Sequence, residues 1–190
     1  MKNASIRFPL VVGLLAATLT FPGTARAATP SYRPDAMIKL CGSGDTCVNA
    51  PPHQYWGEGV YNTSGASQTV SAGLEEGNDI RFWILIENDG ALGDSISVKG
   101  CSGTPSFTIR AVNIGALRRS RWAPLITKQF KLGTAKFTFP PVGAKHDVVI
   151  TLDIWERTPI QGLRYSCPIT VTSVSQPTVK DLVVAKMVTT

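Results

Sequence analysis

The groups of this 190-residue chain that could do chemistry are two histidines, four cysteines, scattered carboxylates and a few aromatic side chains near cations. A hydrolase needs a nucleophile, a base and an orienting group brought together. His53 falls in a loop and His146 at the start of a strand, neither within a Ser, Cys or metal-ligand pattern. A glycosidase needs two facing carboxylates, and Asp79, Glu87 and Asp153 lie on or beside the strongest strand patterns. Their plainer reading is as solvated strand faces or as partners of Arg81 and Arg157. Asp89 and Asp94 flank Gly90, but without the regular spacing of a calcium loop they read as turn residues. No enzyme activity, metal or cofactor is expected.

Four cysteines in an exported chain suggest two disulfides, with three possible connectivities. Cys41 and Cys47 enclose a flexible Gly/Ser-rich stretch that can close as a small ring, which leaves Cys101 and Cys167 as the long-range pair. Closing that loop stabilises by roughly 4 kcal/mol in the chain-entropy model. A zinc site of Cys41, Cys47 and His53 lacks the tighter ligand spacing of structural zinc.

Aromatic side chains offer the sharper binding idea. Tyr55, Trp56 and Tyr61 cluster near the N-terminus, and Trp122 follows Arg118, Arg119 and Arg121. Exposed tryptophans stack on sugar rings, and arginines pair with carboxylate or sulfate groups. The alternative is that Trp56 and Trp122 cap the ends of the fold, while Trp83 and Trp155 pack on strands. Asn62-Thr63-Ser64 matches the glycosylation acceptor pattern, a common triplet.

These groups need a frame, and residues 79–90 supply its centre. Ile80, Phe82, Ile84 and Ile86 alternate with Arg81, Trp83, Leu85 and Glu87, the two-residue period of a strand. Asn88-Asp89-Gly90 then reads as a tight turn that tolerates positive φ and reverses the chain into a neighbouring strand. Residues 148–155 repeat the pattern, and both aliphatic rows are expected to bury against one interior. Shorter strands are expected at 36–40 (an edge), 60–65, 68–72, 95–99, 106–112, 126–132, 136–139, 165–172 and 179–188. Residues 113–124 read as a helical turn or an extended loop. Pro168 hints at a sheet edge or bulge. Short strands, turns rich in Gly, Asn and Pro, and no convincing helix predict an all-β, immunoglobulin-like β-sandwich of roughly 8–10 antiparallel strands.

Residues 1–27 read as a secretory signal: Lys2 and Arg7, an apolar stretch at 8–20, and Ala25-Arg26-Ala27 before cleavage. Without them the formal charge is 19 − 3 − 13 = +3, too mild for a dedicated nucleic-acid binder. Residues 28–190 suit a single domain. A secreted, extracellular monomer with no transmembrane anchor is expected, meeting a protein or glycan partner.

Two stretches carry a resemblance. Val60-Tyr61-Asn62-Thr63-Ser64-Gly65-Ala66-Ser67-Gln68-Thr69, and the strand that ends in Asn88-Asp89-Gly90 and leads into 94–100, resemble the extracellular immunoglobulin-like repeats of bacterial surface and secreted proteins. Tyr32-Arg33-Pro34-Asp35 matches the usual lead of such repeats. The resemblance implies a non-catalytic β-sandwich serving as a spacer, adhesion or accessory module. The chain departs from it in having one copy, no partner domain and four cysteines, which weighs against a pure spacer.

Overall fold

The apolar row that starts at Ile80 becomes one fully buried face of a ten-residue strand, β3 (Asp79–Asn88). Val148, Ile150, Leu152 and Ile154 do the same in β7 (Val148–Glu156). A computed structural model of the chain describes residues 30–42, 55–75, 77–115, 123–142, 146–157 and 160–190. The other elements are β1 (Pro34–Gly42), β2 (Thr69–Leu74), β4 (Asp94–Lys99), β5 (Phe107–Asn113), α1 (Thr127–Leu132), β6 (Ala135–Phe139), β8 (Arg164–Ser173) and β9 (Lys180–Thr189). Four strands form a first sheet in the order β1-β3-β7-β5, and five form a second in the order β2-β9-β8-β4-β6. The two pack face to face as an all-β sandwich. The signal sequence expected at 1–27 lies outside the described residues.

The two long strands are neighbours in one sheet, Ile84 opposite Ile150, rather than ribs facing each other across the core. Their joint aliphatic face meets Ile96, Val98, Ile169, Val171, Val183 and Ala185 of the second sheet in one buried cluster. Each large side chain so buried contributes about 1.5–3 kcal/mol. Cys101, just past β4, joins Cys167 on the inner face of β8 with Cα atoms 5.0 Å apart, the expected long-range pair. Cys41 is also disulfide-bonded, while Cys47 lies outside the described residues.

Several sequence expectations give way. The strands are not all antiparallel: β2 runs parallel to β9, which the long chain between them allows, since a parallel pair needs a crossover and not a hairpin. Residues 60–65 form a turn instead of a strand. Residues 127–132 make a helix, because Ile126 and Phe130 fall four apart on one face and Gly133 ends the turn at φ 72°. Fully buried Phe130 plugs that end of the sandwich, its carbonyl accepting the Gly100 amide at 3.0 Å.

Asn88-Asp89-Gly90 is not a hairpin, for it carries the chain from the first sheet to the second, and none of the three residues has positive φ. Gly90 is needed for space: a Cβ there would lie 2.7 Å from the Ser31 carbonyl oxygen and 2.8 Å from the Arg33 nitrogen. Pro168 sits inside the second sheet. Val184, opposite it, gives its amide to Gln68 on the far side, so the Pro168 nitrogen faces the side where β4 has already ended at Lys99.

Candidate functional site

The segment from Tyr55 to Gln68 is fastened to the sandwich by buried polar groups. Asp181 on β9 points inward, fully buried, and its carboxylate accepts from the Ala36 amide at 2.9 Å, the Asn62 amide at 3.0 Å and Gln68 Nε2 at 2.9 and 3.0 Å. Gln68 Nε2 also donates to the Val60 carbonyl at 2.8 Å. Asn62 Oδ1 caps the turn that follows, accepting from the Ser64 and Gly65 amides at 2.9 and 2.8 Å. The glycosylation triplet therefore holds its asparagine in a turn. Gly65, at φ 72°, leaves no room for a side chain: a Cβ would stand 2.6 Å from Val184 Cγ2.

Asp35 completes this clip, its Oδ2 accepting the Gly59 amide at 3.1 Å. Burial pushes its carboxyl up to about 7, opposed by the Gly59 amide and reinforced by Asp181, Asp89 and Glu87. Burial raises Asp181 too, against the hydrogen bonds it accepts. The Tyr61 hydroxyl donates to Asp89, and the Arg33 guanidinium lies 3.5 Å from the Tyr61 ring centroid.

What the clip positions is a lateral seam. Trp56 exchanges two backbone hydrogen bonds with Ile38, at 2.8 and 2.9 Å, on the edge of β1 away from β3. Its side chain is 61% exposed, and Leu40 on the same strand is 38% exposed. β2 is the outermost strand of the other sheet on this side. The Gln68 and Leu74 carbonyls accept from Val184 and Thr190, so even-numbered residues of β2 face β9. By strand alternation Ser71 and Gly73 turn their N–H and C=O groups to the open edge, where no described residue pairs with them. A groove of about 430 Å³ runs along this edge, lined by Leu40, Ser71, Gly73, Leu74, Asn78 and Ile80.

The outer face of the first sheet is filled differently. Lys39 is 4% exposed, its Nζ 5.4 Å from the Tyr55 ring centroid and 5.2 Å from that of Trp83. Arg81 Nε meets Asp153 Oδ1 at 2.6 Å. Of the three carboxylates weighed for glycosidase chemistry, Asp79 and Asp153 are diagonal neighbours on this face and Glu87 stands apart. Asp153 is ion-paired, Asp79 sits opposite Trp155, and Glu87 lies eight residues along β3 from Asp79, about 27 Å. Burial, then Asp89, Asp147 and Glu58, raise the Glu87 carboxyl.

His146 is exposed with its ring edge-on to Phe139, centroids 5.6 Å apart. Asp89 holds Tyr61, and Asp94 Oδ1 accepts from the Ser175 amide and hydroxyl at 3.2 and 2.8 Å. Among the described residues no group of three or more His, Cys, Asp or Glu could hold a metal ion. His53, Trp122, Arg118, Arg119 and Arg121 lie outside the described residues. Sequence reasoning missed Asp181, although it shares the inward parity of Val183, Ala185 and Met187. It also missed the open edge of β2, which only strand pairing reveals.

The sequence matches no protein-family model and no curated protein. Among solved structures, the chain is similar to a family 123 glycoside hydrolase from Clostridium perfringens at 11% identity and TM-score 0.45, over 83% of this chain and 27% of that one. It is similar to the N-terminal domain of PorA at 11% identity and TM-score 0.41, over 81% and 96%. The Vibrio cholerae VesB protease gives 6% identity and TM-score 0.36, over 64% and 30%. The chain spans under a third of the hydrolase and of the protease.

Proposed function

We propose that this chain is an exported, non-catalytic immunoglobulin-like module that binds another macromolecule at the seam between the free edges of β1 and β2. The observation that carries this reading is the open backbone of Ser71 and Gly73 above the groove. An extended peptide laid there gains main-chain hydrogen bonds as an added strand, and Leu40 and Trp56 offer apolar surface to its side chains. Export is supported by the disulfide. A non-catalytic role is supported by the pairing of Asp153 with Arg81, by the position of Glu87 at the far end of β3 and by the packing of His146 on Phe139.

Proline tests it. At position 71 it deletes an outward amide without touching the bonds to β9, so folding is preserved. Dodecapeptides selected on the full chain from a random display library should lose at least about tenfold in affinity for Ser71→Pro. Selected peptides that bind the variant as well as the parent would sink the strand-addition reading. A second reading rests on the exposure of Trp56: a glycan stacks on its indole. A glycan array repeated with Trp56→Ala decides it, by loss or persistence of any signal.

A further inference from the structure

The outward side chains of the second sheet make a cationic track along β8, without an ion pair to any described residue. The five strands of this sheet carry only two carboxylates, Asp94 and Asp181, buried at 4% and 0% exposure. Their cations all point outward: Arg164, Lys186, Lys180, Lys99 and Lys136 are exposed, and no described residue forms an ion pair or hydrogen bond with the side chain of any of them. Pairing fixes their layout. Lys180, Thr172, Ser97 and Lys136 stand in one row across β9, β8, β4 and β6, roughly 14 Å from lysine to lysine at the strand spacing. Lys99 lies beside Thr170, and Lys186 beside Ser166.

The floor of the track is therefore β8, with hydroxyls at Ser166, Thr170 and Thr172. It runs about 27 Å from Arg164 to Thr172. Pro168 interrupts this floor, and Lys180 and Lys186 flank it on β9 with Leu182 and Val184 between them. Lys99 on β4 and Lys136 on β6 stand on the other side. One end opens into a shallow groove of about 370 Å³ lined by Ser71, Arg164, Ser166, Lys186 and Val188.

We infer that this track binds a linear anionic polysaccharide, its carboxylate or sulfate groups meeting the flanking lysines and Arg164 and its hydroxyls meeting the Ser and Thr floor. Charge complementarity selects a polyanion, and the narrow straight floor selects an extended chain. Nucleic acid fits less well, since no aromatic side chain stands on the track to stack a base. A membrane surface fits less well, since the track has no exposed aromatic or long apolar side chain to insert. The track meets the seam at Ser71, which lines both grooves, but its cations take no part in the open edge of β2, so their variants test it independently of strand addition there.

The test uses the full secreted chain with polygalacturonate as the carboxylate-bearing probe, neutral dextran as the uncharged one and phosphatidylglycerol vesicles as the lipid one. Polygalacturonate should bind in low salt and be released as NaCl rises from roughly 50 to roughly 500 mM, where screening becomes severe. Replacing Arg164, Lys180 and Lys186 together by Ser should weaken binding at least about tenfold. The exposed Arg110 of the first sheet, changed to Ser, should leave it within about twofold, which separates the track from diffuse positive charge. No binding at low salt, equal losses in the triple and Arg110→Ser variants, or vesicle binding with polygalacturonate ignored would each overturn the proposal. Chain folding is followed by circular dichroism, and single Lys186→Ser and Lys180→Ser variants serve if the triple fails to fold.

Discussion

The two outer faces of the sandwich use charge in opposite ways. On the first sheet Arg81 is closed onto Asp153 at 2.6 Å and Lys39 is buried against the rings of Tyr55 and Trp83. On the second, five cations stand in solvent with no carboxylate exposed among the strands that bear them. A buried charge must be partnered, because desolvation otherwise costs several kcal/mol. A solvated charge carries no such obligation and stays available to a ligand. The first face therefore closes Arg81, Asp153 and Lys39 into structure while Arg110 stays in solvent, and the second keeps all five of its strand cations exposed. Mutations should divide along that line.

The largest expected effect lies beneath the second face, in the interior that holds it flat. Changing Cys101 and Cys167 together to Ser releases a 66-residue cross-link and should lower unfolding stability by about 4 kcal/mol. Denaturant titration measures it, and a loss below roughly 1 kcal/mol would mean that the aliphatic core alone fixes the packing of β4 on β8.

Next comes a pH effect confined to the first face and the clip behind it. Asp35 titrates near 7 in the folded chain against 3.8 for the free group, so between about pH 4 and 7 the native state binds more protons than the unfolded one. Stability must then fall as pH rises through that window and level off above it, by on the order of 3 kcal/mol. Asp181, raised in the same direction, adds to the slope. Asp35→Asn keeps an acceptor for Gly59 and should flatten most of the fall in thermal midpoint between pH 5 and pH 8. An unchanged slope would place the titrating group elsewhere. The lysine side chains of the second face make no contact with Asp35 or Asp181, so their variants should keep the parental profile.

Breaking the ion pair comes third. Asp153→Ala strands Arg81, whose side chain is only 20% exposed, and should cost about 2 kcal/mol in equilibrium unfolding. Arg81 has further contacts that soften the loss, so a value near zero would show that they suffice.

Much of this frame is legible in the sequence. Strict alternation at Ile80–Ile86 and Val148–Ile154 gives the strands because a two-residue period admits one buried face. The parity of Cys167 with Ile169 and Val171 puts that cysteine in the core. Even the track is half-written in the sequence, since Lys180, Lys186, Arg164 and Ser166 all have outward parity. What no local period reveals is which strands lie side by side. That pairing turns separate lysines into a row with Thr172 and Ser97, leaves β2 open, and sets the two long strands beside each other. Lys39 shows the same limit: its outward parity predicts solvent, and the rings of Tyr55 and Trp83 brought beside it by the fold help to bury it. α1 is too short for its period to stand out, and Asp181 is a single polar residue in an apolar strand whose partners, Ala36, Asn62 and Gln68, lie more than a hundred residues away.

The smallest expected effect is the most discriminating. Lys180→Ala removes one cation from a row that contributes nothing to folding if it is free for a ligand, so unfolding stability should stay within about 0.5 kcal/mol of the parent. Lys39→Ala, on the other face, removes a buried stem and its contacts with Tyr55 and Trp83, and should cost about 1–2 kcal/mol. The pair is read by the same denaturant titration under the same salt. If Lys180→Ala costs as much as Lys39→Ala, the second face holds its charges for stability as the first does, and a ligand is no longer needed to explain why five cations stand there unopposed by any described carboxylate.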